Sequence, residues 1–358
     1  MHVAIVCRGL GGAGSVAAVA LRQARELAKS ERVTLISDSF PDDCAFERIL
    51  VAPPDFALLR RLRHVFDEVA FARVAKNALL AIPDVGFVLA HSHATAYIAA
   101  RHRGVPFGLF VHGDIFDRPA GTYDARLTAF YQWVTPRAYR AANVTFVLSQ
   151  PFVELATRHG AKDVVIVPNG IDPAEIGARE TGARHTPLRI LNVGRLAVEK
   201  GLDDLIDACD LLDFDYRLTF VGSGPLAEHL LARGNAKMQF IGVQPRSNLG
   251  ALYADHDVFC APSISEAFGL VVLEALACGL PVVGTRVGGI GEMVQDEANG
   301  LLVPPHDPRA LADALTRLAN DEPLRARLAA NARASVLPRF SWAEIGARIL
   351  GVIRRMPA

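Results

Sequence analysis

The sequence predicts an α/β protein of two doubly wound domains. Three observations lead there. The chain has 358 residues, long for one core, with 51% apolar content. Short apolar runs alternate with amphipathic stretches along nearly its whole length. The runs are close to continuously apolar, as strands of a parallel sheet covered on both faces must be.

In the first domain the strand-like runs are VAIV (3–6), RVTLIS (32–37), VGFVLA (85–90), PFGLFV (106–111), VTFVLS (144–149) and VVIVP (164–168). Residues 167–187, VPNGIDPAEIGARETGARHTP, are rich in glycine, proline and turn-formers and read as a connection. A second series follows: LRILNVG (188–194), YRLTFVG (216–222), MQFIG (238–242), VFCAP (258–262), PVVGT (281–285) and GLLVPP (300–305). The expected division is 1–167, a linker 168–187, a second domain 188–337, and a tail 338–358 whose amphipathic helix crosses back to the first domain. A cleft between two such domains is expected, with ligands at the carboxyl ends of strands.

Composition narrows the function. Lys+Arg and Asp+Glu are both 38, and this zero balance argues against a dedicated nucleic-acid binder. Five widely spaced cysteines without a C-x-x-C pair point to a reduced, cytoplasmic setting. No uncharged apolar stretch reaches 18 residues, and no signal peptide is expected.

The N-terminal segment IVCRGLGGAGS places Gly9, Gly11 and Gly14 in a G-x-G-x-x-G pattern after a strand, with Asp38 ending the next strand. That outline fits a nicotinamide-dinucleotide site. The context departs from it, because Cys7 and Arg8 separate the strand core from Gly9. The glycines still allow close backbone approach, with a helix near Gly14 offering amides to an anion. Asp38 then reads as an ordinary strand-end acid.

The second domain holds more chemistry. In SISEAFGLVVLEALACGLP (263–281), Glu266 precedes a helix and Glu274 lies inside it among apolar residues. A carboxylate there demands hydrogen-bond donors. Phe268, Gly269 and Leu270 are expected to form the helix's first turn, whose amides make an anion site. The plainer reading pairs Glu274 with a buried arginine and makes Glu266 a cap. In NVGRLAVEKG (192–201), Arg195 and Lys200 flank a turn at a strand's carboxyl end and suit a diphosphate. The plainer reading is a solvated pair bonded to acids such as Glu199 and Asp203.

Taken together and in order, VPNGID, GRLAVEKG, VGSGP, FIGV, the Glu266/Glu274 pair and GLPVVGTRVGGIGE resemble the retaining GT-B glycosyltransferases of the glycogen-synthase-like group 1, family 4. The resemblance spans nearly the whole chain and is strongest from Val167 to Pro305. It implies a nucleotide-sugar donor, UDP- or GDP-linked, in the second domain, with the acceptor read by the first. It implies that Arg195 and Lys200 hold the diphosphate, assisted by the amides of Gly269 and Leu270. Glu274 would take the ribose hydroxyls, Glu266 the transferred sugar, and the backbone of Gly242 and Val243 the base. His112 would orient the sugar, and Gly11 and Gly12 would reach towards the diphosphate. No metal, other cofactor or protein nucleophile is implied. The acceptor would be a glycan, a lipid-linked sugar or a small molecule. A nucleotide-sugar epimerase and an NAD-dependent oxidoreductase are the alternatives, with a two-carboxylate glycosidase behind them.

Other features carry less. His91, His93, His102 and His112 suggest metal ligands, but no acid or cysteine cluster completes a site. Asp213 and Asp215 form a D-x-D in a polar turn. Residues 58–80 form a basic amphipathic helix, with Leu58, Leu62, Val65, Phe66, Val69 and Phe71 on one stripe. It covers the first domain's sheet or lies on the inner face of an anionic membrane, and both readings stay open.

Overall fold

The computed structural model describes residues 1–12, 15–53, 63–98, 104–113, 116, 125–177 and 185–356. Gly14, His102 and residues 58–62 fall outside them. The chain forms two compact units, Met1–Gly170 with Trp342–Ala358, and Ile171–Ser341.

The first unit holds a seven-stranded parallel sheet: β1 (His2–Val6), β2 (Arg32–Ser37), β3 (Glu47–Leu50), β4 (Phe87–Ala90), β5 (Phe107–Phe110), β6 (Val144–Val147) and β7 (Val164–Ile166). Their order is β3-β2-β1-β4-β5-β6-β7. Every residue of β1, β4, β5 and β6 is buried, which is why these strands read as unbroken apolar runs. Strand β3 is an addition to the sequence reading. Its residues ERIL are mostly exposed, as an edge strand permits, and carry no apolar run to betray it. Register is set by parallel pairing, Val3 with Val33 and with Phe87.

The second unit holds six parallel strands: β8 (Leu188–Val193), β9 (Tyr216–Val221), β10 (Met238–Phe240), β11 (Val258–Ala261), β12 (Val282–Thr285) and β13 (Gly300–Val303). Their order is β10-β9-β8-β11-β12-β13. Ile190, Leu205, Phe220, Cys260, Leu315 and Leu328 belong to one core cluster between sheet and helices. Helices Pro308–Asn320 and Glu322–Val336 start on capping aspartates, with Asp307 accepting from Ala310 N–H and Asp321 from Leu324 N–H, both at 2.9 Å.

Each sheet reverses its strand order once, between β1 and β4 and between β8 and β11. Such reversal points are where ligands bind in open α/β sheets, at the carboxyl ends of the strands.

Helix Trp342–Ile353 packs in the first unit against helix Ser15–Leu27, and Arg354 pairs with Glu31. Helix Arg63–Ala81 buries Ala70, Phe71, Ala72, Ala75 and Leu79. Phe71 is therefore core, while Phe66 and Leu80 are exposed. Among the described residues no helix is long and apolar enough to cross a membrane.

Candidate active site

The reversal between β8 and β11 gathers the second unit's polar residues. The turn after β8 closes with a 3-10 segment, Val198–Lys200. The amides of Ile264 and Ser265, in the loop after β11, both donate to Glu199 O, at 2.9 and 3.2 Å. These bonds hold the two loops together and bring Lys200 onto Glu266 as a direct ion pair. Asn192, Gly194, Ala261, Ser263, Val272 and Ile290 line a hollow around that pair.

Beneath Glu266 lies the VGGIG segment. Gly288 has φ +44, and a Cβ there would stand 1.5 Å from Glu266 O. Only glycine admits this contact, so the Gly288 backbone forms the floor on which Glu266 rests. Thr285 Oγ1 donates to Ser263 O at 2.5 Å and fixes the other end of the loop.

The following helix begins at Leu270, one residue later than expected for Gly269 and two later than for Phe268. Gly269, at φ +94, is its cap, so Phe268 and Gly269 precede the first turn rather than belong to it. Val272 and Leu273 donate to Gly269 O, which leaves the amides of Leu270 and Val271 ahead of the helical ladder. Phe268 is buried, edge-on to Phe340.

Glu274 is buried in the helix interior. Tyr253 Oη donates to its Oε2 at 2.9 Å, and Arg246 Nη1 stands 3.0 Å from its Oε1. The arginine is half exposed, which differs from the buried partner the plainer reading requires. Burial pushes the Glu274 carboxyl up, and Arg246 opposes that. Arg195 is largely exposed and 3.7 Å from Glu199. Asp203 is committed to His229 and Arg233. Gly242 O accepts from Gly222 N–H at 2.8 Å, and the neighbouring Val243 is exposed.

In the first unit the glycine loop follows β1. Its amides from Gly9 to Gly12 are already committed. Gly9 donates to Asp38 Oδ1 at 2.7 Å, Leu10 to Ser37 Oγ at 3.2 Å, Gly11 to Ser39 Oγ at 3.2 Å and Gly12 to Gly9 O at 2.9 Å. A Cβ on Gly11 would stand 2.8 Å from Phe40 O, so packing on residues 37–40 accounts for that glycine. Asp38 is more than a strand-end acid. It also accepts from Arg8 Nε at 3.1 Å, and Arg8 reaches Asp67 and Glu68 besides. An acid that anchors the loop from beneath is engaged where a dinucleotide ribose would need it.

His112 follows β5. Its Nε2 is 2.8 Å from His91 Nδ1, and the rings stack at 5.1 Å. Burial, with His93 adding to it, pushes the His112 ring down to about 3, and burial lowers His91 well below its ordinary value. The pair is neutral at pH 7. His93 instead starts helix His93–Ile98, edge-on to Tyr139. Among the described residues no three His, Cys, Asp or Glu side chains group to hold a metal ion. None of the five cysteines is in a disulfide.

Sequence reasoning missed Tyr253, Arg246 and the grip of Asp38. Tyr253 reads as an ordinary core aromatic, and nothing local links it to a glutamate 21 residues away.

Two parallel sheets with helices, each reversing its strand order once, are the GT-B architecture. A family model described as glycosyl transferases group 1 matches residues 173–335, and one described as glycosyltransferase family 4 matches 13–175. The chain belongs to this family. It is 28% identical over 302 residues to an uncharacterised glycosyltransferase of Methanocaldococcus jannaschii, covering 78% of this chain and 77% of that one. Sucrose-phosphate synthase from Thermosynechococcus elongatus shares the fold, with TM-score 0.83 and 21% identity over 99% of this chain and 98% of that one. So does an Anabaena protein solved in complex with UDP and glucose, with TM-score 0.79 and 20% identity over 99% and 100%.

Proposed function

We propose that this glycosyltransferase moves a sugar, with retention, from a UDP- or GDP-sugar to a sugar-containing, lipid-linked or small-molecule acceptor, without a metal. The observation that carries the donor reading is the Lys200–Glu266 pair at the β8/β11 reversal, ahead of the Leu270–Cys278 helix. Lys200 and Arg195 supply the positive charge that a departing diphosphate needs, and the amides of Gly269 and Leu270 add to it. Glu266, released from Lys200 by the arriving phosphate, turns to the sugar hydroxyls. Glu274 accepts from the ribose, and Gly242 and Val243 meet the base. That a structural neighbour was solved with UDP and glucose supports this donor class. Retention rests on the leaving phosphate taking the acceptor's proton on the same face. The parts of Gly11, Gly12 and His112 rest on the family resemblance alone, since the loop amides donate internally.

A thermal-shift panel of UDP, GDP, ADP and their sugars identifies the donor through ligand stabilisation of the folded state. With that donor, Lys200→Ala lowers acceptor-dependent nucleotide release by about 10²-fold or more. Near-normal turnover removes the diphosphate assignment. Donor conversion without acceptor indicates an epimerase, and a change at the reduced-nicotinamide absorbance an oxidoreductase. Peripheral contact through residues 58–80 is tested by sedimentation with anionic vesicles. No binding at low salt withdraws it.

A further inference from the structure

The two oxygens of Glu274 are held by two side chains of one helix, Arg246–Ala254, and those two arms differ in kind. Tyr253 is fully buried, packed against Phe259 with ring centroids 5.8 Å apart. It has nowhere to go, so it fixes the plane of the carboxylate as a positioning residue. The Arg246 side chain is 54% exposed, and a second carboxylate is within reach, with Nε 3.5 Å from Glu175 Oε2.

We propose that Arg246 is an exchangeable guard on Glu274, displaced by the ribose hydroxyls of the donor and transferred to Glu175. The proposal rests on the assignment of Glu274 to the ribose. Its physical basis is the need of a buried carboxylate for donors in every state. In the empty site the guanidinium supplies them to Oε1. In the loaded site a hydroxyl pair does so, while Tyr253 keeps Oε2 throughout. The guard therefore competes with the nucleotide. Removing it strengthens binding, whereas removing a direct nucleotide contact or a structural brace weakens it.

Calorimetric titration of the full chain with UDP and 2′-deoxy-UDP, and in parallel with GDP and 2′-deoxy-GDP, tests this. The unaltered protein prefers one ribonucleotide over its deoxy form by about tenfold or more, as expected for a hydrogen bond to a charged group. Arg246→Ala binds that ribonucleotide about fivefold more tightly, and Arg246→Lys shows a smaller gain in the same direction. Glu175→Gln, which weakens the alternative partner, loosens it by about two- to threefold. These opposite signs cannot come from loss of folding. Unchanged or weaker binding by both Arg246 variants overturns the guard, while the deoxy preference of the unaltered protein still upholds Glu274 as the ribose acceptor. Equal binding of ribo and deoxy forms in both nucleotide pairs overturns the ribose assignment and the guard with it.

Discussion

Gly288→Ala isolates the contact that seats Glu266. The added methyl would begin 1.5 Å from the Glu266 carbonyl oxygen and 2.8 Å from its carbon. Restoring even a 3.0 Å separation moves one backbone past the other by 1.5 Å. Placing a non-glycine residue in left-handed backbone costs about 1–2 kcal/mol, and overpacking a closed contact about 1–3 kcal/mol more. The expected loss is therefore about 2–5 kcal/mol. Gly279→Ala is the matched control. It too has positive φ, +92, but its methyl meets only Ala329 O, at 3.9 Å. It should lose only the backbone part, about 1–2 kcal/mol. Urea unfolding of both variants gives the difference directly. Turnover gives a second reading, because a shift of about 1 Å in a positioned group lowers rate by about 10²-fold. If Gly288→Ala is no less stable than Gly279→Ala, or turns over normally, the Gly288 backbone does not seat Glu266.

Two further outcomes follow from buried groups. Tyr253→Phe removes the Oε2 donor of Glu274 and should destabilise by about 1.5–3 kcal/mol, read in urea unfolding, with deoxy discrimination lost if the carboxylate plane turns. The second concerns pH. His112 and His91 are depressed when folded, so below the unfolded value near 6.5 the unfolded chain binds more protons, and stability falls as pH drops from 6.5 towards 3. Glu68 and Glu274 are raised by burial and act in the opposite sense above their ordinary value near 4.5. The test is accordingly a comparison: His112→Asn should lose less stability than the unaltered protein between pH 7.5 and 5. A parallel decline in both removes His112 from the acid response.

What was legible in the sequence was whatever repeats locally. All six strands of the second unit lie within runs that begin or end on glycine or proline, and in β11 and β12, buried at every residue, no exposed face interrupts the apolar run. The β3 edge escaped for the converse reason. Lys200 and Glu266 could be nominated separately, since each sits in a turn beside a helix start, but their pairing depends on loop-to-loop bonds across 66 residues. The dinucleotide outline misled because glycine spacing reports close approach without saying to what. At Gly11 the neighbour is Phe40, and Asp38 faces inward to Gly9. The helix start moved to Leu270 because left-handed Gly269 cannot propagate a right-handed turn.

The chain leaves the first unit after Gly170 and returns at Trp342, and the two crossings are neighbours. Ile171 N–H donates to Phe340 O at 2.7 Å and Ile171 bridges Ser341, while Gly170 packs so closely on the Trp342 ring that a Cβ would stand 2.5 Å from it. Residues 171–341 are thus a cassette whose two ends lie side by side. A chimera carrying this stretch from a relative has its two breakpoints at one place in the fold, after Gly170 and before Trp342. Recombination at these two points exchanges one whole sheet and leaves the other sheet together with its terminal helix.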